Sequence, residues 1–577
     1  LHHRRGLQHQ RRMVHVMPET MAPEELNYGI DVTGLDMASL TDALRAVVAD
    51  AMTDPLRMST WMTGLALAEQ NVGVNMLRRL SGETSEPKFT DDKRFAEPAW
   101  SSNPFLAGFV EDYQARTQAA FSLVDTTRLP ERTRRKARFA MQLFCDAFSP
   151  SNVPWLNPGV LKEATDTGGL SLVRGMQNFI EDVTNNGGYP SQVDKSGFEL
   201  GVNLAATPGR VVMRNELIEL IAYEPQTPQV HEIPLLCSPP WINKYYIMDL
   251  APGRSFVEWA VQHGHQTFMI SYRNPDASMS HYTMDRYLRE GILAALDRVQ
   301  EITGAKPVNV AALCLGGTMA VIALAHLAAI GQGDRIASAT VTNTLVDFSI
   351  PGDLGVFTDE DTIARLEHRI RERGYLDSKD MARTFDWMRS RDLIWSYVIN
   401  NWFKGKQPPA FDILAWNNDS TNMPVEMHSE YLRACYLHNA IVKPGAFTIG
   451  GTPIDLGKIV TPLYVLGAEN DHIAPWKATY LTTQRVGGEA KYVLTNSGHI
   501  AGIVNPPGGK KTWHYTQPSA TRGVSAEEWL ESADRHQGSW WEDWAAWAEA
   551  HGGPMRAPYA LPAGEPAPGR YVRETPK

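Results

Sequence analysis

The pattern of apolar and polar positions changes character near Ala205. Upstream, apolar residues recur at helical spacing, and Asn103-Pro104, Ser149-Pro150, Asn157-Pro158 and Gly187-Gly188 punctuate the run as helix boundaries. This predicts a helical N-terminal domain over residues 93–204. Residues 1–92 before it are polar and weakly patterned, with one expected helix at 38–52 and a solvated stretch at 81–94. Downstream, short apolar runs at 217–223, 232–237, 267–272, 308–313 and 336–343 alternate with amphipathic segments such as 284–302 and 316–330. Apolar strands separated by helices signal a parallel sheet covered on both faces. After Asp347 the rhythm breaks into Trp-, Arg- and Asn-rich helical sequence, and strand character returns only at 462–467 and 490–494. An insertion between consecutive strands predicts a lid over about 348–454, with Gly405 and Pro408-Pro409 as its hinge chemistry. The tail 528–550 carries Trp529, Trp540, Trp541, Trp544 and Trp547 and is expected to be helical, packing in the core or against a second copy. The fold class is therefore α/β, with residues 205–577 as the sheet domain.

At 577 residues the chain is long enough to bury a large core. A net charge of -10 argues against nucleic acid as a partner, since a phosphate backbone recruits clustered Lys and Arg. The basic run 132–138 is read as the solvated face of a helix. Cys145, Cys237, Cys314 and Cys435 are scattered without a Cys-x-x-Cys pair, so a disulfide framework, a zinc site or any other metal site is not expected, and a reducing cytoplasm fits. The first residues are basic and His-rich but lack an apolar core of signal-peptide type, and Met13, Met17 and Met21 are candidate starts. The uncharged stretch 308–331 contains Asn309, the Gly316–Gly317 pair and His326, so strand, turn and buried helix explain it better than a transmembrane span. A soluble protein is expected.

Chemistry enters at the junction of that strand and helix. Val308-Asn-Val-Ala-Ala-Leu-Cys314-Leu-Gly-Gly-Thr is a strand, a small-residue turn bearing a nucleophile, and a helix. This is the nucleophile-elbow arrangement of the α/β-hydrolase fold, with Cys in place of Ser and its sulfur at a helix N-terminus. In that fold the acid and then the histidine follow the nucleophile along the chain. Asp471, just past the strand at 462–467, supplies the acid and could also hold the start of the next helix. His499 is the one histidine of 17 that follows the last predicted strand between glycines, whereas His472 is read as ordering its loop. The oxyanion hole would take a backbone N–H from Leu315 and another from Trp241 or Ile242, in the turn after an early strand.

Longer phrases narrow the reading. Pro239-Pro-Trp-Ile-Asn-Lys-Tyr-Tyr-Ile-Met-Asp-Leu, Ser271-Tyr-Arg-Asn-Pro-Asp, Trp416-Asn-Asn-Asp-Ser-Thr-Asn-Met-Pro and Ser497-Gly-His-Ile-Ala-Gly-Ile-Val-Asn-Pro-Pro resemble the polyhydroxyalkanoate synthases from about Lys93 to Val572. The Asp419-Ser-Thr and Tyr436-Leu-His-Asn region is similar to that of the single-component enzymes using short 3-hydroxyacyl units. The resemblance implies Cys314 as acyl carrier, His499 as base and Asp471 as the third member. It further implies 3-hydroxyacyl-CoA as substrate, no cofactor beyond the CoA released, a homodimer, and a place on cytoplasmic polyester granules. Two positions depart from the family pattern: Ala312, where Gly is usual, and Ala415, where an aromatic residue is common, which bears on acyl-pocket width and lid packing. A thioesterase or polyester depolymerase of the same fold, and an inactive granule-coating scaffold, are the alternative readings.

Overall fold

The computed structural model describes residues 35–83, 89, 91–517 and 522–575, so the basic N-terminus with its candidate start methionines lies outside the described residues. Ten strands form one sheet: β1 (Gly209–Arg214), β2 (Ile218–Tyr223), β3 (Leu235–Ser238), β4 (Thr267–Tyr272), β5 (Val308–Leu313), β6 (Ile336–Thr342), β7 (Leu463–Ala468), β8 (Ala490–Thr495), β9 (Trp513–Thr516) and β10 (Asp534–Gln537). Their spatial order is β1-β2-β4-β3-β5-β6-β7-β8-β9-β10. The six strands from β4 to β8 run parallel, and antiparallel strands flank them on both sides. Strands β2, β4, β5 and β7 are buried along their whole length, which is why they read as continuous apolar runs rather than alternating ones. Sequence patterning missed β1, β9 and β10. The last of these is exposed at all four residues, so no apolar face announces it, and it splits the expected helical tail into Ala526–Ser532 and Trp540–Ala550. Trp529, Trp540, Trp541 and Trp544 are all within 2% of full burial and belong to the core.

The longer N-terminal helices are α1 (Met37–Met52), α2 (Pro55–Leu80), α3 (Pro104–Asp125), α4 (Glu131–Ala147) and α5 (Leu170–Asn185). Helix α2 went unread because it has no fully buried position and therefore no clean apolar stripe, although it packs along α3. Part of the expected solvated stretch departs from that reading: Phe89 and Phe95 are buried against each other and Trp100. Along the basic run, Arg134 and Arg138 make surface pairs with Glu131 and Asp125, but Lys136 turns inward at 8% exposure and pairs with Asp359 of the inserted segment.

The insertion is mostly helical, including α7 (Glu360–Arg373), α8 (Ser378–Met388) and α9 (Val425–Tyr431), and it comes after α6 (Leu315–Ala329) and β6 in the chain. It is fastened to the N-terminal helices. Trp402 Nε1 donates to Asp182 at 2.7 Å, Asn178 donates to the Asn401 and Lys406 carbonyls, and a Cβ at Gly175 would collide with the Trp402 carbonyl. Gly405, expected as a hinge, has φ +62° and lies directly against the Ser171 carbonyl. There it serves close packing between the two segments.

Candidate active site

The chain visits β3, then β4 on one side of it, then crosses back to β5 on the other, so the strand order reverses between β3 and β5. In open α/β sheets this switch point opens a crevice at the carboxyl ends of the strands. Cys314 stands at the end of β5 in that crevice. Its backbone is left-handed, φ 51° and ψ -119°, a conformation costing about 1–3 kcal/mol for a residue with a Cβ. The turn is held by Cys314 N–H donating to the Thr342 carbonyl at 2.9 Å, and by Thr318 N–H and Thr344 Oγ1 both donating to the Cys314 carbonyl. Helix α6 begins at the next residue, so the N–H of Leu315 is among the first-turn donors that have no partner within the helix.

The two glycines after the nucleophile make room for this geometry. A Cβ on Gly316 would collide with the carbonyls of Ser238 and Pro239, and one on Gly317 with the Thr344 side chain. Gly316→Ala is expected to destabilise the fold by about 1–3 kcal/mol, because β3 cannot retreat from its buried ladder. A denaturant midpoint unchanged from wild type would count against this close approach. Ala312 is accommodated inside the same layer, 1% exposed, aligned with Ser238 and Val341 on the neighbouring strands.

The acid and the histidine arrive from β7 and β8. Asp471 follows β7, and its Oδ1 accepts the N–H groups of Ile473 and Ala474 at 2.9 and 2.8 Å, fixing the loop into helix α10 (Trp476–Arg485). Its Oδ2 accepts from His499 Nδ1 at 2.6 Å, so the cap-like and histidine-holding roles coexist on separate oxygens. His499 is 8% exposed and, like Cys314, faces the same cavity, near enough to the cysteine for its charge to act on the ring. Burial alone would depress the imidazole; the adjacent charges of Asp471 and Cys314 outweigh it and hold His499 well above its ordinary value. Because the folded value lies above the unfolded one, this pair stabilises the fold fully below about pH 6.5 and loses that contribution as pH rises through the folded value. Unfolding free energy is therefore expected to fall more steeply above neutrality in the wild type than in His499→Gln; equal slopes would argue against the pair.

His472 lines the same cavity, but burial, reinforced by Arg389, pushes it down to about 4, and its carbonyl accepts the Asp353 N–H. Trp241, 1% exposed, packs edge-on to Tyr287 and Tyr431 and is not among the residues facing the cavity, whereas Ile242 and Leu315 both face it. Cys145, Cys237 and Cys435 are buried, and burial raises each thiol, leaving Cys314 as the one partly exposed cysteine. Sequence reading missed Asn343. It takes a left-handed φ of 45° just beyond β6 and donates its Nδ2 to the His499 carbonyl at 2.5 Å, and so holds the backbone of the histidine while Asp471 holds its ring. An Asn at a strand end was a visible signal for a left-handed turn.

These groups open into a cavity of about 1610 Å³, roofed by the insertion and reached by α1. Ligand pockets of about 300–1,000 Å³ are usual, so the space suits a long, extended substrate. Tyr431, Tyr436, Leu376 and Trp416 of the insertion face it, while Ala415 does not; that residue belongs to the buried cluster that includes Tyr245, Tyr246 and Met248. Among the described residues no group of acidic, His or Cys side chains could hold a metal, and no helix is long and apolar enough to cross a membrane.

A family model described as the poly-beta-hydroxybutyrate polymerase N-terminus matches residues 91–260, and one for the alpha/beta hydrolase fold matches residues 250–506. The former runs across the boundary near residue 204 at which the helical pattern gives way to strands. The chain is similar to the poly(3-hydroxyalkanoate) polymerase of Methylorubrum extorquens, 41% identical over 93% of this chain and 90% of that one. It is 39% identical to poly(3-hydroxyalkanoate) polymerase 2 of Ectopseudomonas oleovorans, over 96% of this chain and 98% of the relative. The polymerase subunit of Cupriavidus necator is 42% identical over 84% and 83% of the respective chains.

Proposed function

The chain belongs to the poly(3-hydroxyalkanoate) polymerases, acyltransferases that convert hydroxyacyl-CoA into polyester, and from that premise we propose that Cys314, His499 and Asp471 carry the reaction. The observation that supports this most is the buried, hydrogen-bonded Asp471–His499 pair beside a partly exposed cysteine on a strained elbow, facing a cavity large enough for an acyl-CoA. Cys314 attacks the thioester carbonyl; the carbon–sulfur bond to CoA breaks, and CoA leaves as the thiol with the proton held by His499. One thioester replaces another, so the acyl group keeps its reactivity. His499 then takes the proton of the 3-hydroxyl on an incoming unit, whose oxygen attacks the acyl carbonyl, forming the ester and releasing Cys314. The N–H groups of Leu315 and Ile242 receive the oxyanion, Ile242 being preferred to Trp241 because it faces the cavity.

In this proposal the chain divides into residues 1–92, 93–204 and 205–577, and a lid at 348–454 excludes water from the acyl-enzyme. The resemblance to these polymerases supports a homodimer and a place on cytoplasmic polyester granules. The exposed Leu172, Val173, Met176 and Ile180 along α5 support contact with apolar material. Purified protein given 3-hydroxybutyryl-CoA is expected to release CoA and accumulate polymer. Release of CoA with free 3-hydroxybutyrate would instead establish the hydrolase reading, and no release at all the scaffold reading.

A further inference from the structure

Helix α9 turns Val425, Met427, His428, Ser429 and Tyr431 inward. His428 is 2% exposed and faces the active-site cavity, yet neither Nδ1 nor Nε2 has a hydrogen-bond partner. Each buried polar group left without a partner costs about 1–3 kcal/mol, so an imidazole with both nitrogens idle is expensive to bury. Burial pushes it down to about 4, against a small upward pull from Glu367. That carboxylate is itself taken by Arg433 through bonds of 2.8 and 2.9 Å. His428 is thus neutral at physiological pH and offers one N–H donor and one nitrogen acceptor.

Its position relative to the sulfur follows from the aromatic packing. The His428 ring centroid lies 6.3 Å from that of Tyr431, which packs edge-on to Trp241 and Tyr436, each at 5.7 Å. Tyr431 and Tyr436 both lie close enough to Cys314 to be influenced by its charge. His428 and Cys314 are thus both neighbours of Tyr431 along the cavity. The groups a substrate presents along the cavity differ in kind. A polyester chain offers ester oxygens, which only accept. The arm of acyl-CoA beyond its thioester sulfur carries two secondary amides, each with a donor and an acceptor. A neutral imidazole with one free donor and one free acceptor matches the amides on both counts and the esters on one.

We propose that His428 recognises the pantetheine arm of acyl-CoA, donating from one ring nitrogen to an amide carbonyl and accepting with the other from an amide N–H. This rests on the polymerase reading and deepens it, by separating recognition of the CoA arm from the chemistry at Cys314. It is a binding residue, not a proton carrier.

The test compares wild type and His428→Phe on two thioesters of 3-hydroxybutyrate, the CoA thioester and the S-ethyl thioester, which lacks both amides. With the CoA thioester, kcat/KM is expected to fall about tenfold, mainly through KM, as for loss of a buried hydrogen bond. With the S-ethyl thioester the two proteins should agree within about twofold, and His428→Gln, which keeps a donor and an acceptor, should recover most of the loss. Equal losses on both thioesters, or none on either, would overturn the proposal. Calorimetric binding of desulfopantetheine is the second measurement, with His428→Met, unbranched and adaptable, replacing Phe if that variant does not fold. An affinity unchanged by the substitution, or absent in wild type, would also overturn it. Wild type that releases no CoA at all would remove the polymerase reading itself, a result distinct from any difference between variants.

Discussion

Cys314→Ala is expected to abolish both covalent acylation and polymer formation while the protein still unfolds cooperatively near the wild-type midpoint. The substitution removes one sulfur from a partly exposed site, and the elbow is held by backbone contacts to Thr342, Thr318 and Thr344 rather than by the side chain. Loss of the nucleophile in a constellation of this kind costs at least about a thousandfold in rate, because the remaining groups then have no covalent route to serve. Cys314→Ser should retain at most weak activity: the His499–Asp471 pair must then extract a proton from an alcohol, which holds it far more tightly than a thiol. Radiolabelled 3-hydroxybutyryl-CoA, quenched in a single turnover, reads acylation directly. Label bound to Cys314→Ala in wild-type amount would show that another residue carries the acyl group.

The second large effect is at His499. His499→Ala is expected to lose about two to four orders of magnitude in both acylation and elongation, the range for removal of a general base. Asp471→Asn should divide the two steps. Asp471 Oδ2 accepts from His499 and Oδ1 from two backbone N–H groups, and the carboxylate is fully buried and does not face the cavity, which favours action through the histidine over contact with a substrate hydroxyl. Its influence passes through the basicity and orientation of His499. Thiol deprotonation needs little help from the base, whereas the 3-hydroxyl needs much. Asp471→Asn is thus expected to slow chain elongation more than acylation. Rapid-quench labelling followed by chain-length measurement separates the steps, and acylation slowed more than elongation would refute this ordering. His472→Gln should be milder than either, since burial already keeps that ring neutral and its backbone carbonyl makes the loop contact. A loss matching His499→Ala would transfer the role to it.

How much of this was legible in the chain depends on the range of the signal. Strands β2, β4, β5 and β7 were read within a few residues, because burial on both faces demands uninterrupted apolar runs that few other structures need. The cysteine, the acid and the histidine were also local signals: each sits just past a strand, in the chain order the fold requires. The elements missed were those whose stability comes from a neighbour. Helix α2 has no buried stripe of its own, β10 exposes all four residues, and Lys136 read as a solvated charge until the insertion brought Asp359 to it.

Sequence alone therefore determined the fold class, the elbow and the identity of three candidate catalytic side chains, since backbone strain, strand burial and chain order are written in neighbouring residues. Only the tertiary structure decided how they meet. Asp471 and His499 are 28 residues apart and come within 2.6 Å because β7 and β8 pair in parallel register. Asn343 reaches His499 across 156 residues, a contact without any periodic signature. His428 belongs to the same class. Its composition and spacing mark an ordinary helix residue, and its two idle nitrogens acquire meaning only where α9 is folded over the cavity that contains Cys314.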